Sequence, residues 1–221
     1  VTGKADAKAA WLSLVKPTDV IGLVPTPHLN PTHDEVVDAV KASLVAAGIP
    51  AGRIVHAQGR SVDLAAITAL VCMPALKAHW LTGAGTVIKN YILYSGAPRN
   101  YHYQDSARLG EIWNLPQVKG KTRLNVLCAL TPQFHGRGPH NFSRRYVWNY
   151  KGLIVGEDPV AVDAVGLRLI MAKRRMELGP DQEIPPVPKH IALADTKYGI
   201  GTADPAKIEL VKRGWLDDVL I

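Results

Sequence analysis

Short apolar runs alternate along the chain with stretches in which apolar residues recur every three or four positions. Residues 20–24, 53–57, 67–73, 123–130 and 151–155 are runs of the first kind, and they predict strands. Those at 20–24 and 67–73 read as strands covered on both faces. Helical spacing appears at residues 4–14, where Ala9, Trp11 and Leu12 offer an apolar side and Pro17 stops the helix. It returns at Val36, Val37, Val40 and Leu44, after a capping box of Thr32 and Glu35 and before Gly48. The third helix follows Asp158 as N-cap and Pro159 at its first position, with Val160, Ala164, Leu167 and Met171 on one face. Residues 191–194 predict a last short strand, and 204–213 a last helix opened by Asp204 and Pro205. Strand, loop, helix and strand over 20–57 make a βαβ unit with a right-handed crossover. The expected fold class is α/β, a mostly parallel sheet flanked by helices in Rossmann-like layers.

Two long irregular regions interrupt this alternation. The first, 91–116, is aromatic (Tyr91, Tyr94, Tyr101, Tyr103, Trp113) and carries His102 and Asp105, with a helical turn expected at 106–112. The second, 131–149, turns at Gly136, Gly138 and Pro139 between His135, Arg137 and His140. Pro185, Pro186 and Pro188 form a rigid connector. The organisation expected is a single domain over 1–221, or two lobes of about 1–120 and 121–221.

Composition adds limits. The 221 residues suffice for a sizeable core, and 47% hydrophobic with 20% charged residues is ordinary for a globular chain. No apolar run reaches membrane-spanning length. The net charge of +7 is scattered, with small clusters at Arg144-Arg145 and at Lys173, Arg174 and Arg175. Neither forms a stripe with interleaved aromatics, so a nucleic-acid interface is not expected. Cys72 and Cys128 form no CxxC pair, so no cysteine-ligated iron–sulfur cluster or structural zinc is expected. Both read as buried thiols, with a bridge open if their strands are neighbours. The chain starts at Val1, which suits removal of a leader or of an N-terminal segment.

The chemistry-bearing stretch is 70–90, LVCMPALKAHWLTGAGTVIKN. If extended, the two-residue spacing puts Lys77 and His79 on one face, at the carboxyl end of a strand. Such a pair holds a carboxylate or phosphate or exchanges a proton; the alternative is a solvated lysine and a capping histidine. The turn at Gly83-Ala84-Gly85 leads to Lys89 and Asn90, which read either as anion contacts or as a satisfied helix end. It lacks the third glycine of a dinucleotide fingerprint and the Lys-Ser/Thr of a P-loop. His28 and His33 flank the first βα loop and could ligate a metal with His79, His135 or His140, although no compact ligand motif is present. Asp163 lies on the helix that Asp158 caps and could reach across to a lysine. No GxSxG elbow is present.

The stretch 70–90 and GLIVGEDPVAVDAVGLRLI resemble the family called domain of unknown function 362. So do LVKPTDVIGL, PTHDEVVDAVKASLVAAGIP, HGRGP and the closing KHIALADTKYGIGTADPAKIELV. The family's K-x-H…LKN pattern falls on Lys77, His79, Lys89 and Asn90. Its glycine–proline turn falls on Gly138 and Pro139, and its D-P-V-A-x-D on Asp158 and Asp163. Relatives usually carry a lysine and an asparagine after the first strand, where LVPTPHLNP has neither in register, and often an acid where Ala129 stands. The resemblance implies an α/β fold and often export behind a twin-arginine leader, hence a periplasmic or extracellular location; it implies no agreed reaction. A fold-level likeness to the two-lobed lactate racemase architecture, through the proline-rich first loop, fixes no chemistry.

The expected site therefore has Lys77, His79 and Lys89 as catalytic candidates. Asn90, Gly138, Asp158 and Asp163 are the ligand-binding candidates, and His28, His33 and His79 the metal candidates. The ligand expected is a small anionic or metal-bound molecule at the strand ends; no motif specifies a cofactor, and catalysis is left open. The alternative is a non-catalytic accessory subunit docking on a larger periplasmic or extracellular, possibly redox, assembly through 91–116 and 131–149.

Overall fold

The computed structural model describes residues 1–57, 64–103, 106–136 and 142–221. Among them the chain forms α1 (Ala7–Leu14), β1 (Ile21–Pro25), α2 (Asp34–Ala46), β2 (Ile54–His56), β3 (Ala69–Met73) and β4 (Ala75–His79). It continues with β5 (Gly83–Gly85), α3 (Val87–Asn90), β6 (Thr122–Gln133), β7 (Gly152–Gly156), α4 (Pro159–Leu178) and α5 (Lys189–Thr196). β1 is flanked by β2 and β3, both parallel to it. β3 and β4, joined through Pro74, run in succession parallel to β6, and β7 closes the other edge of β6 antiparallel. Where β1 ends at Pro25, β5 pairs antiparallel with β4 instead. The result is the expected α/β fold, a mostly parallel sheet of seven strands among the described residues with helices on both faces.

Strand alternation divides the core. Ile21, Leu23, Ala69, Val71, Met73, Leu124, Val126 and Cys128 point to one face and pack under α1 and α2 against Trp11, Val36, Val37 and Leu44. Val24, Leu70, Cys72, Leu76, Leu127 and Ala129 point to the other, under α3, α4, α5 and the irregular 91–116 region. Cys72 and Cys128 fall on opposite faces and are free thiols, which closes the disulfide alternative.

Several elements differ from their sequence patterns. The Thr32–Glu35 capping box does not form. His33 is the N-cap, and Thr32 Oγ1 instead accepts from the Thr26 N–H (3.0 Å) and donates to the Met73 carbonyl (2.5 Å). Tertiary tethering of the first loop outcompetes the local cap. Gly83-Ala84-Gly85 is a short strand, not a turn. Residues 191–194 lie inside α5, not a strand: His190, Ile191 and Ala194 form its buried side, at helical spacing that a four-residue apolar run could not reveal. The expected helix over 204–213 stops after a 3-10 turn at Pro205–Lys207, because most side chains beyond it are exposed and give a helix nothing to pack on. The turn expected at 106–112 is a 3-10 helix over Leu109–Asn114. Asp158 does cap α4, accepting from Val160 (2.8 Å) and Ala161 (2.9 Å).

Candidate functional site

β4 is extended, so Lys77 and His79 share one of its faces while Leu76 and Ala78 enter the core on the other. β5 runs beside them, Gly85 opposite Lys77 and Gly83 opposite His79. Gly83 has φ of +72°, and a Cβ there would fall 2.1 Å from the Pro186 carbonyl oxygen, so only glycine fits.

Lys77 is committed to the fold. Its Nζ donates to the carbonyls of His28 (2.9 Å), Leu29 (2.7 Å) and Asn30 (3.4 Å). Leu29 and Asn30 adopt left-handed backbone angles, φ 51° and 65°, that the loop holds while its carbonyls meet this ammonium. Asn90 is engaged as well. Its Nδ2 donates to the Val24 carbonyl (2.7 Å) and Cys72 Sγ (3.5 Å), and its Oδ1 accepts from Thr26 Oγ1 (3.2 Å). It thus ties α3 to the end of β1.

Asp163 of α4 sets the position of α3. Its buried carboxylate accepts from the N–H groups of Val87 (2.6 Å) and Ile88 (2.9 Å), satisfying donors at the start of that short helix. It meets backbone, not the lysine that its helix position suggested. Burial raises its pKa to about 7, against the lowering effect of those N–H groups. The Thr86 hydroxyl also lowers it from nearby, without the geometry of a hydrogen bond.

Lys89 is different. It lines a cavity of about 800 Å³ beyond the carboxyl end of β1, and among the described residues its amine has no hydrogen-bond or ion-pair partner. Around it stand Lys77, His79, His28 and His102, with Thr26, Thr86 and Gln133 as neutral polar groups and Arg99 among the lining residues. Leu81, Ile92, Leu93, Trp80 and Phe142 make apolar walls. No carboxylate is among the described lining residues. Lys89 is half-buried along the cavity wall, and that burial pushes its pKa down to about 8. Burial and the charge on Lys89 would take Lys77 lower still, to about 7. The three carbonyls on Lys77 reverse that order, because they stabilise only its charged form; Lys89 is the amine that yields its proton first.

The histidines at and beside the cavity are pushed toward the neutral form. His79 is driven down to about 2 by burial and by Lys89, His102, Lys77 and His190, and its ring stacks on His102 at 5.9 Å. Burial and Lys89 take His102 to about 4 and the fully buried His190 to about 3. Burial, Lys77 and Lys89 also lower His28. His79 Nδ1 accepts the Leu81 N–H (3.2 Å), which fixes the proton of the neutral ring on Nε2. That ring offers a hydrogen-bond donor and no free lone pair.

The expected metal set of His28, His33 and His79 does not converge here, since His79 Nδ1 is engaged by the Leu81 N–H and His33 points elsewhere. His33 is turned onto Thr131 Oγ1 (2.6 Å) and Glu35 (3.9 Å) and does not line the cavity. Among the described residues no three His, Cys, Asp or Glu side chains converge as a metal requires. Asp158 lies away from the cavity lining: beyond its cap bonds it accepts from Thr202 N–H (2.8 Å), and a Cβ on Gly201 would fall 2.0 Å from its Oδ1. Gly138 and His140 lie outside the described residues. Of the expected positions, His28, Lys77, His79, Lys89 and Asn90 meet at one cavity. His102 was visible only as a histidine in an aromatic loop, and Arg99 and His190 carried no sequence signal.

Fold and cavity together define an α/β protein with a basic, partly apolar cavity at the carboxyl end of its parallel strands. The family model for the domain of unknown function (DUF362) matches residues 47–168, more than half of the chain, and the chain belongs to that family. The match contains Lys77, His79, Lys89, Asn90, Asp158 and Asp163, and excludes the first loop and His190. No curated protein and no solved structure matches the chain. No helix among the described residues is long and apolar enough to cross a membrane.

Proposed function

We propose that the chain binds a small anionic molecule with an apolar portion in this cavity. The observation that carries the reading is the unpartnered Lys89 amine in a cavity whose described ionisable lining is wholly basic. Such a group gains on meeting an acid, because the pair restores the charge that burial disfavours. Neutral His79 contributes its Nε2–H, and Arg99, exposed and also without a described partner, draws anions in. Lys77 and Asn90 hold the walls. The likeness to exported relatives supports a periplasmic or extracellular setting.

Calorimetric titration with malonate, a compact dicarboxylate, tests this. The wild type takes up malonate, and Lys89→Met weakens it at least about tenfold, or 1.4 kcal/mol. Equal affinities in the two proteins, or no uptake by the wild type, would overturn the proposal.

A second reading, an accessory subunit in a larger assembly, draws on one observation. Trp215 is 95% exposed with Val211 and Leu216 beside it in sequence, and Leu153 and Val155 of β7 face outward. A stoichiometric partner recovered with the native chain, and lost on Trp215→Ser, supports that reading; a native chain that is partner-free contradicts it.

A further inference from the structure

Among the described residues, every other amine or guanidinium named above is either bonded, as Lys77 is, or exposed, as Arg99 is. Lys89 is neither, and a half-buried lysine without a partner has a second use besides charge. We propose that Lys89 is a nucleophile for carbonyl compounds: its amine condenses with the carbonyl of an aldehyde or 2-oxo acid bound in the cavity and forms a covalent imine. This rests on the anion-binding reading, since the acid group is what places the carbonyl.

The groups that face Lys89 favour the free amine. Lys77 and His79 approach from β4, His190 from α5, His102 from the aromatic region and His28 from the first loop, and none of them is an acid. Asp163, an acid buried on the same side of the sheet, is occupied by the N–H groups of Val87 and Ile88. A charged Lys77 in the same cavity further disfavours a second ammonium. Burial holds the Lys89 pKa at about 8, so a useful fraction is unprotonated near neutrality.

The step balances without a redox partner. The Nζ lone pair attacks the carbonyl carbon, a C–N bond forms, and the carbonyl π pair moves to oxygen. That oxygen takes a proton released by nitrogen, and His79 Nε2–H is a neutral donor available to it. The carbinolamine hydroxyl then leaves as water, taking the remaining proton from nitrogen as the nitrogen lone pair forms the C=N bond. The apolar walls at Leu81, Ile92, Leu93 and Phe142 keep bulk water from the imine and accept a hydrocarbon substituent.

Glyoxylate with borohydride is the test, on the intact wild-type protein. Reduction of the imine leaves a carboxymethyl group whose position is read by peptide mass mapping. At neutral pH Lys89 should be modified at least about tenfold faster than exposed Lys151 and Lys207, because less of its amine is protonated. The Lys89 rate should be half-maximal at pH about 8, and saturating malonate should suppress it alone. If malonate binds but Lys89 reacts no faster than the exposed lysines, the covalent inference falls and the binding proposal stands. If malonate does not bind and Lys89 is unreactive, both fall.

Discussion

The two faces of the sheet are built from different materials. Under α1 and α2 the packing is hydrocarbon: Ile21, Leu23, Val71, Met73 and Val126 meet Val36, Val37, Leu44 and Trp11. The hydrogen bond from Trp11 Nε1 to Ser43 Oγ (2.8 Å) ties those two helices together. The opposite face buries Asn125, Asp163, Arg174 and His190 within the same layer as Leu70, Leu76 and Ile88. Its polar groups are met unevenly: Asp163 is satisfied, whereas both His190 nitrogens and the Thr86 hydroxyl have no partner among the described residues. Buried polar groups without partners cost stability, and here they cluster near the cavity. The dry face stabilises the sheet; the other face carries the buried polar groups.

The dry face is tested through stability alone. Leu44→Ala, at a fully buried position, should cost about 2–5 kcal/mol in urea unfolding while leaving malonate affinity unchanged. A comparable loss of affinity would mean that the faces are not separable. On the other face, Asp163→Ala strands the Val87 and Ile88 N–H groups, at about 1–3 kcal/mol each. Because those groups seat α3, this variant should also lose malonate binding, and unaltered binding would remove Asp163 from the account.

The polar face also makes stability depend on pH. His79 and His190, neutral in the fold down to about 2 and about 3, protonate in the unfolded chain near 6.5, so they withdraw stability as pH falls below 6.5. Half-buried His102 acts in the same direction down to about 4. Asp163 opposes them: its folded pKa of about 7 lies above its unfolded 3.8, so it adds stability as pH falls through that interval. His190→Leu should therefore shallow the fall of stability below pH 6.5 by about 1.4 kcal/mol per pH unit. An unchanged slope in urea melts would show that His190 is not held neutral. At neutral pH the variant should fold as well as the wild type, since it removes two orphaned polar atoms.

β1, β2, β3, β6, β7, α2 and α4 were legible because their signals are local: apolar runs, helical spacing, and Asp158-Pro159 at a helix start. The neighbourhood of Lys77, His79, Lys89 and Asn90 was legible too, since all four lie within one short stretch of chain. Their roles were not. Lys77 reads as a free cation until the left-handed backbone at Leu29 and Asn30 brings three carbonyls to it. Asp163 reads as a partner for lysine until α4 docks it on backbone N–H groups. His190 comes from a segment far along the chain whose helix was masked by a short apolar run. What sequence spacing cannot supply is which long-range partner satisfies each polar group, and that is what separates a structural lysine from an available one.

The central claim is that Lys89 is the available one. A carbon-detected NMR titration of the Lys89 side chain, with and without malonate, measures this directly. The account predicts a pKa of about 8 in the free protein, rising toward the ordinary 10.5 when malonate is bound. Titration at 10.5 in the free protein, unmoved by malonate, would contradict it.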